Sequence, residues 1–300
     1  MSEQTPGLSE ASEMGVAPFG ARLQRAVQEN GPLVGGIDPH QALLEQWGLP
    51  DDPTGLERFS QIALEAYAGR VAAIKPQSAF YERHGSRGLA VLEDLLAAAR
   101  DRGVLSILDV KRGDIGSTLE AYAAAHLLPG APGEADAITL SPFLGFGSLR
   151  PALDAAMAHG KGLFVLALTS NPDGPQVQHA VTTRDTPVAR EIAEQAEAAG
   201  GGSAETWGSV GLVVGATVGS AVRDLRLLER AGSVPLLAPG FGAQGAGPAQ
   251  MSEVFGEAAP RVLVAISRGL LAAGPDPQAL AEHVQRVREE YSSGAPTPTR

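Results

Sequence analysis

Eight short apolar runs recur along the chain with helical patterns between them, and this alternation limits the fold more than any other feature. The runs are Leu33–Asp38, Ala72–Lys75, Leu105–Lys111, Ala137–Ser141, Leu163–Ser170, Gly211–Thr217, Pro235–Pro239 and Arg261–Arg268. Most are almost continuously apolar, as expected of parallel strands buried on both faces. Between them, Phe59, Ile62, Ala63, Ala66 and Tyr67 fall on one helical stripe, as do Leu89, Leu92, Leu95 and Leu96 before Gly103. Ser117 with Glu120 has capping-box spacing. Thr186-Pro187 and Asp276-Pro277 each read as an N-cap followed by proline at the first helical position. Strand alternating with helix eight times predicts an α/β fold, a single (β/α)8 TIM barrel, with an open doubly wound sheet as the alternative.

The chain has 300 residues and is 44% hydrophobic, enough for one large barrel core. The barrel is expected over 17–291. The stretches 1–16 and 292–300 are rich in Ser, Pro, Gly and Thr and read as loose tails. The longest gap between strands, Asn171 to Ser209, reads as one helix near Thr186–Ala199 between Pro- and Gly-rich loops. The Ser203–Trp207 stretch and the Glu289-Glu290 pair read as ordinary solvated surface, and Gln24 and Arg25 lie on an amphipathic first helix and need no function.

Four strand ends carry a polar residue just before a proline: Asp38-Pro39, Lys75-Pro76, Ser141-Pro142 and Asn171-Pro172. Proline keeps its predecessor extended and cannot donate to a sheet ladder. Each pair therefore ends a strand with a polar side chain at the C-terminal edge, the face where such barrels build their sites. The third run ends in Asp109-Val110-Lys111-Arg112-Gly113-Asp114. Strand period two sends Asp109 and Lys111 to the same face.

Of the 23 basic residues only Lys75, Lys111 and Lys161 are lysines. Lysine can release and regain a proton where arginine effectively cannot, so Lys111 at a strand end suggests proton transfer; a structural ion pair is the plainer alternative. Lys75, Asp109, Lys111 and Asp114, with Asp38 nearby, form a set of alternating charges. Such a set repels an anionic group beside Asp109 and stabilises negative charge developing beside Lys111. Loss of carbon dioxide from a carboxylate does both.

Later in the chain, Gly215-Ala216-Thr217 ends the sixth run, Pro239 to Gly245 forms a Gly-rich loop after the seventh, and Ser267-Arg268-Gly269 ends the eighth. Loops after strands seven and eight commonly bind phosphate in these barrels. A net charge of −11 argues against general nucleic-acid binding. There are no cysteines, which excludes disulfides and thiolate metal sites and fits a cytoplasmic setting. The six histidines show no metal-ligand spacing, so no metal is expected. No signal-peptide pattern and no membrane-length apolar run stands out.

The set Asp109-x-Lys111-x-x-Asp114-Ile115, with Asp38, Lys75 and Arg268 on other strand ends, resembles the orotidine 5'-phosphate decarboxylase family. Gly36-Ile37-Asp38-Pro39, Lys75-Pro76-Gln77 and Thr169-Ser170-Asn171-Pro172 resemble its longer bacterial branch. The resemblance covers roughly 17–290. It implies conversion of orotidine 5'-phosphate (OMP) to UMP and carbon dioxide without metal or organic cofactor, in a homodimer with shared sites. It also implies that Lys75, Asp109 and Lys111 serve one subunit's site, with Lys111 the proton donor, while Asp114, Ile115 and Thr118 reach the partner's. Asp38 and Lys75 would meet ribose hydroxyls and Ser141 the pyrimidine edge. Gln244 and Arg268, with Gly242 and Gly269, would hold the phosphate under a closing loop. The Asn171–Ser209 elaboration departs from the compact members, and the resemblance assigns its residues no role. Two other readings stand beside this one: a magnesium-dependent sugar-phosphate decarboxylase or aldolase of the same barrel group, and a silent nucleotide sensor.

Overall fold

The computed structural model describes residues 16–242 and 245–293. The two tail stretches lie outside the described residues, apart from Val16, Ser292 and Ser293. Eight parallel strands close into one barrel in chain order, which decides between the closed and the open sheet.

The first half of the chain runs α1 (Phe19–Asn30), β1 (Leu33–Ile37), α2 (Gln41–Gln46), α3 (Pro53–Tyr67), β2 (Ala73–Pro76), α4 (Ala79–Glu82), α5 (Gly85–Asp101), β3 (Leu105–Arg112), α6 (Gly116–Leu127) and β4 (Ala137–Leu140). The second half runs α7 (Arg150–Ala158), β5 (Gly162–Leu168), α8 (Pro175–Gln178), α9 (Val188–Gly200), β6 (Val210–Val214), α10 (Ala221–Asp224), β7 (Leu236–Pro239), α11 (Pro248–Phe255), β8 (Val262–Ile266), α12 (Arg268–Leu271) and α13 (Pro277–Ser293). Every apolar run became a strand. Several strands stop one to three residues short of their runs, so Asp38, Ser170 and Thr217 fall in loops.

Two apolar layers result. The outer one lies between strands and helices and includes the α3 stripe of Phe59, Ile62, Ala63, Ala66 and Tyr67. The inner one fills the barrel with residues from every strand: Val34, Ala73, Ile107, Ala137, Phe164, Val213, Leu237 and, from β8, both Leu263 and Ala265. Phe19 and Leu23 of α1 plug it from below, with Phe19 edge-on to Phe164 at 6.1 Å between ring centroids. A side chain at position 162 would collide with the Phe19 ring, which accounts for Gly162 at the foot of β5.

Four local expectations change. Ser117 and Glu120 make no capping box: α6 starts at Gly116, with Ile115 as an N-cap that has no side-chain bond. Gly116 turns the chain at φ +52°, which places Ser117 inside the first turn, where it cannot cap. The Asn171–Ser209 segment holds two helices, because Pro175 begins the extra turn α8. Pro187 itself, rather than Thr186, is the N-cap of α9. Ser203–Trp207 is more than solvated surface, since Trp207 packs on the inner layer and its N–H donates to Gln24 (3.2 Å). Asp276 caps α13 as its sequence implies, accepting from the Ala279 N–H at 2.7 Å.

Candidate active site

The same period of two that builds the inner apolar layer carries chemistry above it. Stepping two residues from Val34, Ala73, Ile107 and Ala137 reaches Gly36, Lys75, Asp109 and Thr139. A further step reaches Asp38, Gln77, Lys111 and Ser141. Polar groups thus replace apolar ones as the strands approach their C-terminal ends.

Asp109 is the centre of this layer and is only 6% exposed. Its Oδ2 accepts from Lys75 Nζ at 2.8 Å, and its Oδ1 accepts from Lys111 Nζ at 2.5 Å and from Thr139 Oγ1 at 2.8 Å. Burial alone would push the Asp109 carboxyl up; the charges and hydrogen bonds of Lys75 and Lys111 overcome this and hold it well below the usual carboxylate range. Burial alone would likewise lower Lys75, but the Asp109 and Asp38 carboxylates raise it. The buried Lys75 is therefore charged at neutral pH. Lys111 is the more open of the two lysines, its side chain half-exposed.

The backbone at Lys111 is unusual. The β3–β4 register shifts between Leu108 and Arg112, and Lys111 adopts φ +44°. A residue with a Cβ in this region costs about 1–3 kcal/mol, which the surroundings must offset. The Lys111 N–H donates to Thr139 Oγ1 at 2.9 Å. Arg112 clamps the strand end: its Nη2 donates to Glu82 of α4 (2.6 Å), its Nη1 donates to the Val110 carbonyl (3.1 Å), and its guanidinium covers the Tyr122 ring. Ion pairing of this kind arranges catalytic groups as well as supporting structure.

Two cavities open on this face. One, of about 450 Å³, is bordered by Asp38, His40, Lys75, Phe80, Ser267 and Arg268. The other, of about 530 Å³, lies between Ser141 on β4 and the α8–α9 segment, with Phe143, Gln178, Glu191 and Gln195 on its walls. Asp38 Oδ1 and Ser267 Oγ are both buried, and neither has a hydrogen-bond partner among the described residues. Buried polar atoms are normally paired, and these two face the same cavity.

The comparisons with known proteins agree with this geometry. The sequence profile of the orotidine 5'-phosphate decarboxylase / HUMPS family matches residues 31–284. An orotidine 5'-phosphate decarboxylase of Salinispora arenicola is 56% identical over 269 residues, covering 90% of this chain and 95% of its own. One from Streptomyces coelicolor is 54% identical and covers 91% and 96%. The chain belongs to the orotidine 5'-phosphate decarboxylase / HUMPS family. A crystal structure from Streptomyces avermitilis superposes with TM-score 0.88 at 53% identity, covering 93% of this chain and 96% of that one. OMP decarboxylase from Leishmania donovani gives TM-score 0.70 at 29% identity, covering 91% and 99%.

Within this family member, the structure brings Lys75, Asp109 and Lys111 together and sets Asp114 apart. Asp114 makes no ion pair with either lysine; its Oδ1 accepts from the Ile115 N–H at 2.8 Å. Ile115, at the end of the loop, is 62% exposed, and Thr118 lies exposed in the first turn of α6. The expected charge ladder within one chain therefore ends at Lys111, because the turn into α6 directs Asp114 away from it. Ser141 lines the larger cavity and Arg268 and Gly269 the smaller. Gly242 sits at φ +70° in the loop after β7, and Gln244 lies outside the described residues. Among the described residues no group of three or more His, Cys, Asp or Glu could hold a metal ion, and no helix is long and apolar enough to cross a membrane.

Sequence reasoning passed over Thr139 and the unpaired hydroxyl of Ser267. Both could have been found by carrying the inward series of β4 and β8 two residues beyond the apolar layer. His40, whose ring packs on Phe80 at 4.2 Å between centroids, carried no comparable signal.

Proposed function

We propose that the chain decarboxylates OMP to UMP and carbon dioxide through Lys111, with no metal or organic cofactor. The enzyme is a carboxy-lyase of pyrimidine nucleotide biosynthesis. The observation that carries the mechanism is Asp109 held ionised between the Lys75 and Lys111 ammonium groups near the C-terminal ends of the barrel strands.

Opposite unit charges about 4 Å apart attract by roughly 4 kcal/mol at an effective dielectric of 20. A substrate carboxylate beside Asp109 meets the opposite sign of interaction. That repulsion is relieved as carbon dioxide leaves, while the negative charge growing at C6 moves toward the Lys111 ammonium. Lys111 then donates its proton to C6. Lys75 keeps Asp109 ionised and in place, and with Asp38 it receives the ribose hydroxyls; the unpaired Asp38 Oδ1 supports that assignment. Ser141 reads the pyrimidine edge. Arg268 and Gln244, with the backbone at Gly242 and Gly269, hold the phosphate. Binding energy from that remote group favours the closed, water-excluded site.

The active unit is a homodimer in which Asp114, Ile115 and Thr118 complete the partner's site. Exposed Ile115 and Phe143 on the neighbouring loops after β3 and β4, and an Asp114 unpaired with its own lysines, support this reading. The absence of cysteine and the nucleotide substrate fit the cytoplasm.

Turnover in deuterium oxide tests the proton step. UMP carrying deuterium at C6, formed by the wild type and not by Lys111→Ala, is the expected result. Unimpaired turnover by Lys111→Ala would refute it. A magnesium-dependent sugar-phosphate reaction is disfavoured by Lys75, a cation on β2 where that chemistry needs an acidic ligand.

A further inference from the structure

We infer that Thr139, a buried residue of β4, is a positioning residue for the decarboxylation, setting both the Asp109 carboxylate and the strained backbone of Lys111. The inference rests on the function proposed above and adds a residue to it.

Thr139 is 1% exposed and sits midway along the inward series Ala137, Thr139, Ser141. A threonine hydroxyl has one proton to give and lone pairs to receive with. Here the Lys111 N–H donates to Oγ1 at 2.9 Å, so Oγ1 serves as acceptor on that side. Its own proton then goes to Asp109 Oδ1 at 2.8 Å. The direction of both bonds is fixed, because a backbone N–H can only donate and an ionised carboxylate can only accept. One hydroxyl thereby joins the backbone of Lys111 to the carboxylate that its own ammonium touches.

The geometry explains why the link matters. Lys111 holds φ +44° where the β3–β4 register breaks, so regular sheet bonding does not define its backbone. The Thr139 bond ties that backbone to β4, beside the bond from the Ser141 N–H to the Arg112 carbonyl (2.8 Å). Oδ1 of Asp109 is also the oxygen that receives Lys111 Nζ, so a shift of this carboxylate moves the ammonium with it. Small misplacements of a reacting group lower the rate far more than they lower binding. Thr139 touches no position assigned to ribose, base or phosphate, so its loss should be felt in kcat.

The test compares Thr139→Val, which keeps the shape and loses the hydroxyl, with Thr139→Ser, which keeps the hydroxyl. Each is assayed for kcat and KM with OMP and for UMP affinity by calorimetry. We expect kcat of Thr139→Val to fall by roughly tenfold to a hundredfold, the loss of a hydrogen bond to a charged group, with UMP affinity within about threefold. Thr139→Ser should restore kcat to within about threefold of wild type, as its hydroxyl makes the same two bonds. If Thr139→Val does not fold, Thr139→Ala takes its place in the comparison. A hydroxyl-free variant with wild-type kcat would overturn the inference, as would equal losses in the Ser and hydroxyl-free variants, or a loss seen in UMP affinity and not in kcat. An inactive wild type would instead overturn the proposed function, so the two failures are distinguishable.

Discussion

Asp109→Asn isolates the charge at the centre of the site, because asparagine keeps the size of the side chain and drops its ionisation. Asp109 accepts from Lys75, Lys111 and Thr139. Lys75 is 8% exposed and would keep only the more distant Asp38 as an acidic neighbour. Removing one partner of a buried pair costs about 3–5 kcal/mol. Lys111 is half-exposed and regains water, so the lower end, about 3 kcal/mol, applies. At roughly 2–4 °C per kcal/mol for a large domain, Tm should fall by about 6–12 °C. The pH dependence has a definite sign. A carboxyl whose folded pKa is depressed contributes stability that is complete above its unfolded value, near pH 4, and is lost as pH falls through the lower folded value. The gap in Tm between wild type and Asp109→Asn should therefore stay constant from about pH 8 to pH 5. Thermal melts by circular dichroism across that range provide the assay. A gap under about 2 °C, or one that shrinks steadily toward pH 5, would refute the ionised, doubly paired Asp109.

Other consequences follow from the same geometry. Arg268→Ala should depress kcat/KM by several powers of ten although it never meets the reacting carbon; a loss below about fivefold in steady-state kinetics would contradict the use of remote phosphate binding. Asp114→Ala and Lys111→Ala should each be inactive alone, yet on mixing and subunit exchange they should recover about a quarter of wild-type activity, since half the dimers then hold one intact site. No recovery, with exchange verified by mass spectrometry, would place Asp114 in its own subunit's site. Gly36→Ala would set its Cβ 2.5 Å from Ser267 Cβ. Displacing the β8 end should weaken UMP binding by roughly tenfold in titration calorimetry, and unchanged affinity would remove that strand end from the ligand site.

Particular residues show how far the sequence could be read. Asp109, Lys111 and Lys75 were legible because each is a charge at the end of an apolar run, two of them on one strand face and one before a proline. The barrel was legible because eight buried strands leave eight apolar runs. Thr139 was readable only as an inward position two residues above Ala137; its two bonds were not, since they reach across to β3. The positive φ of Lys111 was hidden for the same reason: it arises from a register shift between two strands. Ser117 and Glu120 misled because capping-box spacing is a local signal, and the turn at Gly116 fixed the helix start instead. Trp207 looked like surface because its neighbours are polar; only closure of the barrel floor by α1 gives it something to pack on.

The most direct measurement follows orotate absorbance when purified protein meets OMP in the presence of EDTA, with Lys111→Ala alongside. The account predicts loss of absorbance with the wild type, unaffected by the chelator, and none with the variant. Orotate absorbance that persists with the wild type, or that disappears equally fast with Lys111→Ala, would contradict it.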